Sequence, residues 1–156
     1  MAIPNIITGQ EDAFEELHPL NVVIAFYKDF NARDVEATAN NWAKKYSIAM
    51  TNPTGGIRRN WNSVKEYYNK IMDDKVRFYI EIHDLKFHQF DNVFYEEGRE
   101  RGSLDIDTDQ LGIKIRTSRI YKLFDEGWRQ IHQHSSIDDA ELLERYQQVI
   151  TNITNN

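Results

Sequence analysis

The stretch Val76-Arg77-Phe78-Tyr79-Ile80-Glu81-Ile82-His83 decides how this chain is read, because an apolar residue occupies every second position. Side chains of a strand alternate between two faces, so Val76, Phe78, Ile80 and Ile82 cover a core while Arg77, Tyr79, Glu81 and His83 look outward. The apolar phase slips at His83-Asp84 and resumes with Leu85, Phe87 and Phe90, which predicts a β-bulge or bend there. Three further strands follow on the same logic, over residues 92–104, 112–124 and 128–136. Their turns fall at 105–110 and 125–127. Asp138-Asp139 predicts the cap of a final helix bearing Leu142, Leu143, Tyr146 and Ile150.

Upstream of Val76 the period is different. From Glu11 to about Lys45, Phe14, Leu17, Val22, Val23, Phe26, Tyr27, Phe30 and Val35 recur at three- and four-residue steps, which is helical spacing. Asn31-Ala32-Arg33-Asp34 interrupts it, and the Asp34 carboxylate is placed to cap a second helix by accepting its unpaired backbone N–H groups. A short strand over 46–51 ends at Asn52-Pro53-Thr54-Gly55-Gly56, a turn sequence. Asn62 or Ser63 then starts a third helix with Val64, Tyr67, Tyr68, Ile71 and Met72 on its buried stripe. Helices first and long strands after them predict an α+β layer fold rather than alternating parallel units. The expected organisation is a tail over 1–10, one domain over 11–137, and a C-terminal helix with polar tail over 138–156.

A chain of 156 residues, 40% hydrophobic and 12% aromatic, is large enough to bury one core and too apolar for disorder. Its net charge of -6 opposes general binding to nucleic acid or anionic membranes, and no basic run offsets that charge along the linear sequence. The absence of cysteine excludes thiol chemistry and disulfides and favours a reducing, cytoplasmic setting. No secretory signal or membrane span is read from the sequence. Asn152-Ile153-Thr154 matches the glycosylation sequon by chance in a polar tail. No phosphate loop, serine nucleophile elbow or metalloprotease motif is present, and neither a metal nor a cofactor is indicated.

Three segments resemble one family. Residues 25–34, Ala-Phe-Tyr-Lys-Asp-Phe-Asn-Ala-Arg-Asp, look like the first-helix signature of SnoaL-like and ketosteroid-isomerase-like proteins of the nuclear transport factor 2-like superfamily. Gly55-Gly56-Ile57-Arg58-Arg59-Asn60-Trp61 resembles the approach to their third helix. Residues 118–121 and 127–136 are similar to the closing strands of the calcium/calmodulin-dependent protein kinase II association domain. The resemblance implies a cone-shaped, cystatin-like fold, in which a curved antiparallel sheet wraps around the N-terminal helices and leaves a hollow. It also implies self-association, with a homodimer as the simplest form. It further places Arg99 beside Arg119 in a pocket. The steroid isomerase mechanism does not carry over, because the positions of its carboxylate base, tyrosine and protonated aspartate fall at Asn52, Phe26 and Arg119.

Arg119 is the leading candidate site residue, since its strand face otherwise holds Ile113, Ile115, Thr117, Tyr121 and Leu123. A buried guanidinium needs a carboxylate, ordered water or an anionic ligand; the structural alternative is a salt bridge with Glu97. Two arginines facing one cavity would repel unless an anion intervened, so the expected guest is a small, partly aromatic, anionic molecule. Tyr121, Tyr27, Trp61 and Asn52 are candidate ligand contacts, as are core-packing roles for the same aromatics. Histidines 132 and 134 lie two residues apart, on one strand face with Trp128 and Gln130. They are candidate acid–base groups for a cofactor-independent isomerase, dehydratase or cyclase, or polar core or interface residues. The sequence thus leaves open a small-molecule binding module, an enzyme using one of these histidines, and a non-catalytic oligomerisation module.

Overall fold

The long alternating run beginning at Val76 forms β2, Val76–Phe90, the first of four strands joined by tight hairpins in a computed structural model that describes residues 2–154. It is followed by β3, Val93–Ile106, β4, Asp109–Phe124, and β5, Gly127–Ser136. A three-residue strand, β1 (Ala49–Thr51), runs parallel to β5, giving one curved, unclosed sheet in the order β1-β5-β4-β3-β2. All other pairings are antiparallel. The α+β architecture read from the sequence is the one observed. The bulge at His83-Asp84 is present as a register shift between His83 and Lys86, with Asp84 at φ 53°.

Helices α1 (Leu20–Asn31), α2 (Val35–Asn40), α3 (Trp61–Ile71) and α4 (Ala140–Thr154) complete the chain. Asp34 caps α2 through Ala37 N–H at 2.9 Å, and Asp139 caps the start of α4 through Leu142 N–H at 2.8 Å. The α3 cap is Asn60, whose side chain accepts from Ser63 N–H at 2.8 Å, two residues ahead of Asn62, the earlier of the two sequence-based starts. Helix α1 starts at Leu20, not at Glu11. Pro19 has no N–H and disfavours helical geometry at His18, while Asn21 turns back to bond the backbone of Phe14 and Glu15. The expected turn over 105–110 contracts to Asp107-Thr108, since Ile106 pairs directly with Asp109 and Asp107 takes the left-handed conformation at φ 52°.

Aromatic rings tie the helices to the sheet. Phe30 of α1 meets Phe78 of β2 edge-on at 5.3 Å and Tyr68 of α3 at 6.4 Å, and the buried indole of Trp42 donates to the Tyr68 hydroxyl at 2.9 Å. The segment expected as a tail reaches this core: Ile7 is fully buried and exchanges two 3.0 Å backbone hydrogen bonds with Ile82. Gly9 makes that approach possible. It sits at φ 92°, and a Cβ there would lie 2.7 Å from Lys28 Cα of α1. Gly9→Ala should therefore cost about 2 to 4 kcal/mol, read as a lower urea midpoint with an unchanged slope.

Candidate functional site

Between the helices and the inner face of the sheet lies a cavity of about 50 Å³, to which every element except α2 contributes. Its walls are largely aromatic, with Phe26 and Phe30 from α1, Tyr67 and Tyr68 from α3, and Tyr146 from α4. The polar groups come from strands: Asn52 just after β1, Glu100 of β3, Arg119 of β4, and Gln133 and Ser135 of β5. A larger surface groove of about 700 Å³ separates α4 from the β3–β4 hairpin, but its charges are scattered over solvent-facing positions. The buried polar chemistry is concentrated in the smaller cavity.

Arg119 points inward and is 3% exposed. Its Nη2 donates to Glu100 Oε1 at 2.8 Å, its Nη1 to Gln130 Oε1 at 2.8 Å, and its Nε lies 3.9 Å from Glu96 Oε1. Phe26 covers one guanidinium face at 4.0 Å from its ring centroid. Tyr27, also fully buried, donates its hydroxyl to Glu100 Oε1 at 3.0 Å, and Gln130 passes the network on to Asn41 at 3.2 Å. The Glu97 salt bridge considered from the sequence is replaced by Glu96 and Glu100. Strand alternation puts Glu97 on the other face, where its carboxylate meets His88 at 3.0 Å.

One guanidinium thus faces two carboxyls. Burial pushes the Glu96 carboxyl up to about 7; Arg119 pulls it down and Glu100 reinforces the rise. Glu96 is consequently mostly protonated below that pH and adds a negative charge to the cluster above it. Burial opposes the charge on Arg119, yet Tyr27, Glu100 and Tyr121 outweigh it and hold the guanidinium protonated. Three buried polar atoms here have no hydrogen-bond partner among the described residues: Glu96 Oε2, Arg119 Nε and Asn52 Nδ2.

Other expected site residues are distributed differently. Arg99 lies on the outer face, opposite Arg116 and 3.6 Å from Asp84, so the expected pair of inward arginines does not form. Histidines 132 and 134 also point away from the cavity. Ile120 pairs with His132 and Tyr121 with Gln130, which leaves Ile131 as an extra residue that reverses the alternation of β5. Trp128 and Gln130 remain buried before this bulge, Gln133 and Ser135 after it, while His134 is exposed. Burial, helped by His134, lowers the pKa of half-buried His132. Tyr121 is buried behind the cavity, stacked on Phe94 at 4.5 Å. Trp61 lies outside it, donating to Ala39 C=O at 2.7 Å beneath Lys44 and Lys65. Asn52 lines the cavity as expected.

Glu96, Glu100, Gln130 and Gln133 did not stand out in the sequence. The signal was there: Phe94 and Leu104 fix the phase of β3, and Glu96 and Glu100 share that phase.

The family model for the SnoaL-like domain matches residues 20–140. The chain belongs to the SnoaL-like family. Solved structures agree at the level of fold. A ketosteroid isomerase-like protein from Erwinia carotovora atroseptica is 15% identical with a TM-score of 0.68, over 80% of the SnoaL-like chain and 98% of its own. A protein proposed to be a calcium/calmodulin-dependent protein kinase type II association domain, from Thiobacillus denitrificans, is 20% identical at TM-score 0.68, covering 83% and 100%. An NTF2-like protein described as having a cystatin-like fold, from Novosphingobium aromaticivorans, is 8% identical at TM-score 0.62, covering 81% and 84%. No curated protein sequence matches this SnoaL-like chain. Among its described residues no helix is long and apolar enough to cross a membrane, and no group of three acidic or histidine residues is placed to hold a metal ion.

The folded protein keeps the Glu96 proton more tightly than the unfolded chain, whose carboxyl ionises near 4.5. Stability is therefore greatest below pH 4.5 as far as this group is concerned, and falls as pH rises to about 7. Glu96→Gln should remove that decline and be more stable than the parent at pH 8, by up to roughly 3 kcal/mol. Urea unfolding at pH 5 and pH 8 checks it.

Proposed function

We propose that this SnoaL-like chain is a small-molecule binding domain whose cavity takes an uncharged guest bearing a hydroxyl or carbonyl group. The observation that carries this reading is the Glu100–Arg119 pair on the cavity wall, with the amide of Asn52 unsatisfied beside it. Glu100 Oε1 already accepts from Tyr27 and Arg119, and no hydrogen bond among the described residues reaches its second oxygen. A guest hydroxyl can donate there and a guest oxygen can accept from Asn52 Nδ2. The anionic guest expected from the sequence loses its rationale, because the Arg119 guanidinium on this wall is matched by Glu100 and shadowed by Glu96.

Size narrows the class further. A cavity that accepts benzene has a volume of about 150 Å³, so a space of about 50 Å³ suits a guest of a few heavy atoms. An aromatic guest would require the lining side chains to move apart. The test is a chemical-shift titration of cavity resonances with acetamide and hydroxyacetone against acetate and lactate. The neutral compounds should saturate at least about tenfold more tightly, and Asn52→Ala should weaken their binding while the bias against the anions persists. Tighter binding of the anions would restore the cationic-pocket reading and end this one.

A second reading rests on the same carboxylate. In an isomerase or dehydratase, Glu100 would move the proton, because it faces the cavity and the histidines do not. Glu100→Gln would then abolish turnover while keeping affinity, whereas His132→Gln and His134→Gln would leave turnover unchanged. Self-association belongs to the same proposal, supported by the likeness to a protein proposed to be an association domain. We place the homodimer in the cytoplasm, in keeping with the lack of cysteine. Sedimentation equilibrium should return twice the chain mass, and a single-chain mass at micromolar concentration would exclude the dimer.

A further inference from the structure

One edge of the sheet carries a charge that the overall composition hides. Residues 37–65 contain Lys44, Lys45, Arg58, Arg59 and Lys65 but neither aspartate nor glutamate. These 29 residues therefore carry +5 in a chain of net charge -6, and the remainder carries -11. The fold gathers the cations around the start of α3. Lys44 Nζ lies 4.6 Å and Lys65 Nζ 5.3 Å from the centroid of the Trp61 ring, which sets the two ammoniums within 10 Å of each other. Arg59, two residues before Trp61, is exposed, as are Lys44 and Lys45. Arg58 lies over Tyr67 at 4.3 Å. Among the described residues one carboxylate makes an ion pair with the group, Glu36 at 2.5 Å from Lys65. Like charges within about a Debye length repel, and an added anion relieves the repulsion.

The same segment leaves backbone groups open. Arg58 and Met50 of β1 exchange hydrogen bonds of 3.0 and 2.8 Å, so Arg58 rather than β1 ends the sheet on this side. In an antiparallel pair of this kind the two flanking residues direct their N–H and C=O groups the other way. Ile57 and Arg59 thus present theirs to the open edge, and no hydrogen bond among the described residues reaches them. The Ile57 side chain is exposed beside them. Unpaired groups on a sheet edge are a template for an incoming extended chain.

We propose that this edge docks a short, extended, acidic segment of a partner protein. Its main chain pairs with Ile57 and Arg59, its carboxylates meet Arg59, Lys44 and Lys45, and an apolar side chain rests on Ile57. Charge complementarity selects the acid, and the open edge selects the extended conformation. The rest of the surface limits the length: a strand of about six residues, about 20 Å long, stays on the patch, whereas a long polyanion such as nucleic acid would run onto a remainder carrying -11. The patch lies at the opposite edge of the sheet from β2, beside α2 and α3. It therefore leaves the outer face of β2 to β5 free for self-association, and it makes no use of the cavity.

The experiment is a fluorescence-anisotropy titration of the full chain with a labelled hexapeptide alternating glutamate and valine. A lysine–valine hexapeptide, a thymidine oligonucleotide and the glutamate peptide N-methylated along one edge are the comparisons. The glutamate peptide should bind saturably, weaken as salt is raised, and lose at least about tenfold in affinity both on N-methylation and against Lys44→Glu with Arg59→Glu. Both side chains are exposed, so the double variant should keep the parent's circular dichroism and thermal midpoint. Equal binding of the lysine peptide, or an affinity untouched by the double variant, would overturn the proposal. Indifference to N-methylation would remove the edge pairing, and tighter binding of the oligonucleotide would assign the patch to nucleic acid; either result also overturns it.

Discussion

A guanidinium almost wholly removed from water must be matched by acceptors, and the way Arg119 is matched organises the interior of this protein. It draws Glu100 and Glu96 to the same face of β3, recruits Gln130 from β5, and through Glu100 holds the hydroxyl of Tyr27 on α1. Three strands and a helix are thus registered against one charge. Hydrophobic burial supplies the bulk of the stability and tolerates many arrangements; a polar network of this kind tolerates few. The excess of carboxyl over guanidinium is resolved by protonation, with Glu96 retaining its proton up to about neutral pH.

Most of the fold was legible because it follows from period and punctuation. Alternation from Val76 to His83 defined a strand with one buried face, the phase slip at His83 marked a real bulge, and Asp34 and Asp139 capped the helices they introduce. The departures have local causes. Phe14 and Leu17 keep helical spacing, but Pro19 withholds the helix until Leu20. Asp105 to Gln110 has turn composition, but pairing across Ile106 and Asp109 extends both strands over most of it.

The site was less legible, for a different reason. Arg119 stood out because its strand neighbours are apolar, and Asn52 was placed through a family resemblance. Glu96 and Glu100 sit in a run of charges, Glu96 to Arg101, where composition alone suggests solvent, and only the buried Phe94 and Leu104 at either end show which charges turn inward. Arg99 was misplaced by the same run. The facing of the histidines depended on a residue count across β5 that no periodic reading of that segment could supply.

That count is set by Ile131, whose extra place in β5 acts as a frameshift within the strand. Upstream of it, even-numbered side chains face the interior; downstream, odd-numbered ones do. Pairing that kept Ile131 but took it into the ladder without the bulge would restore a single reading frame and exchange Gln133 and Ser135 for the two histidines on the cavity wall. A strand of this sequence can therefore gain or lose an imidazole inside the pocket through a one-residue shift of pairing register, with every residue type retained. Chemical diversity on such a scaffold has a route through strand register as well as through substitution.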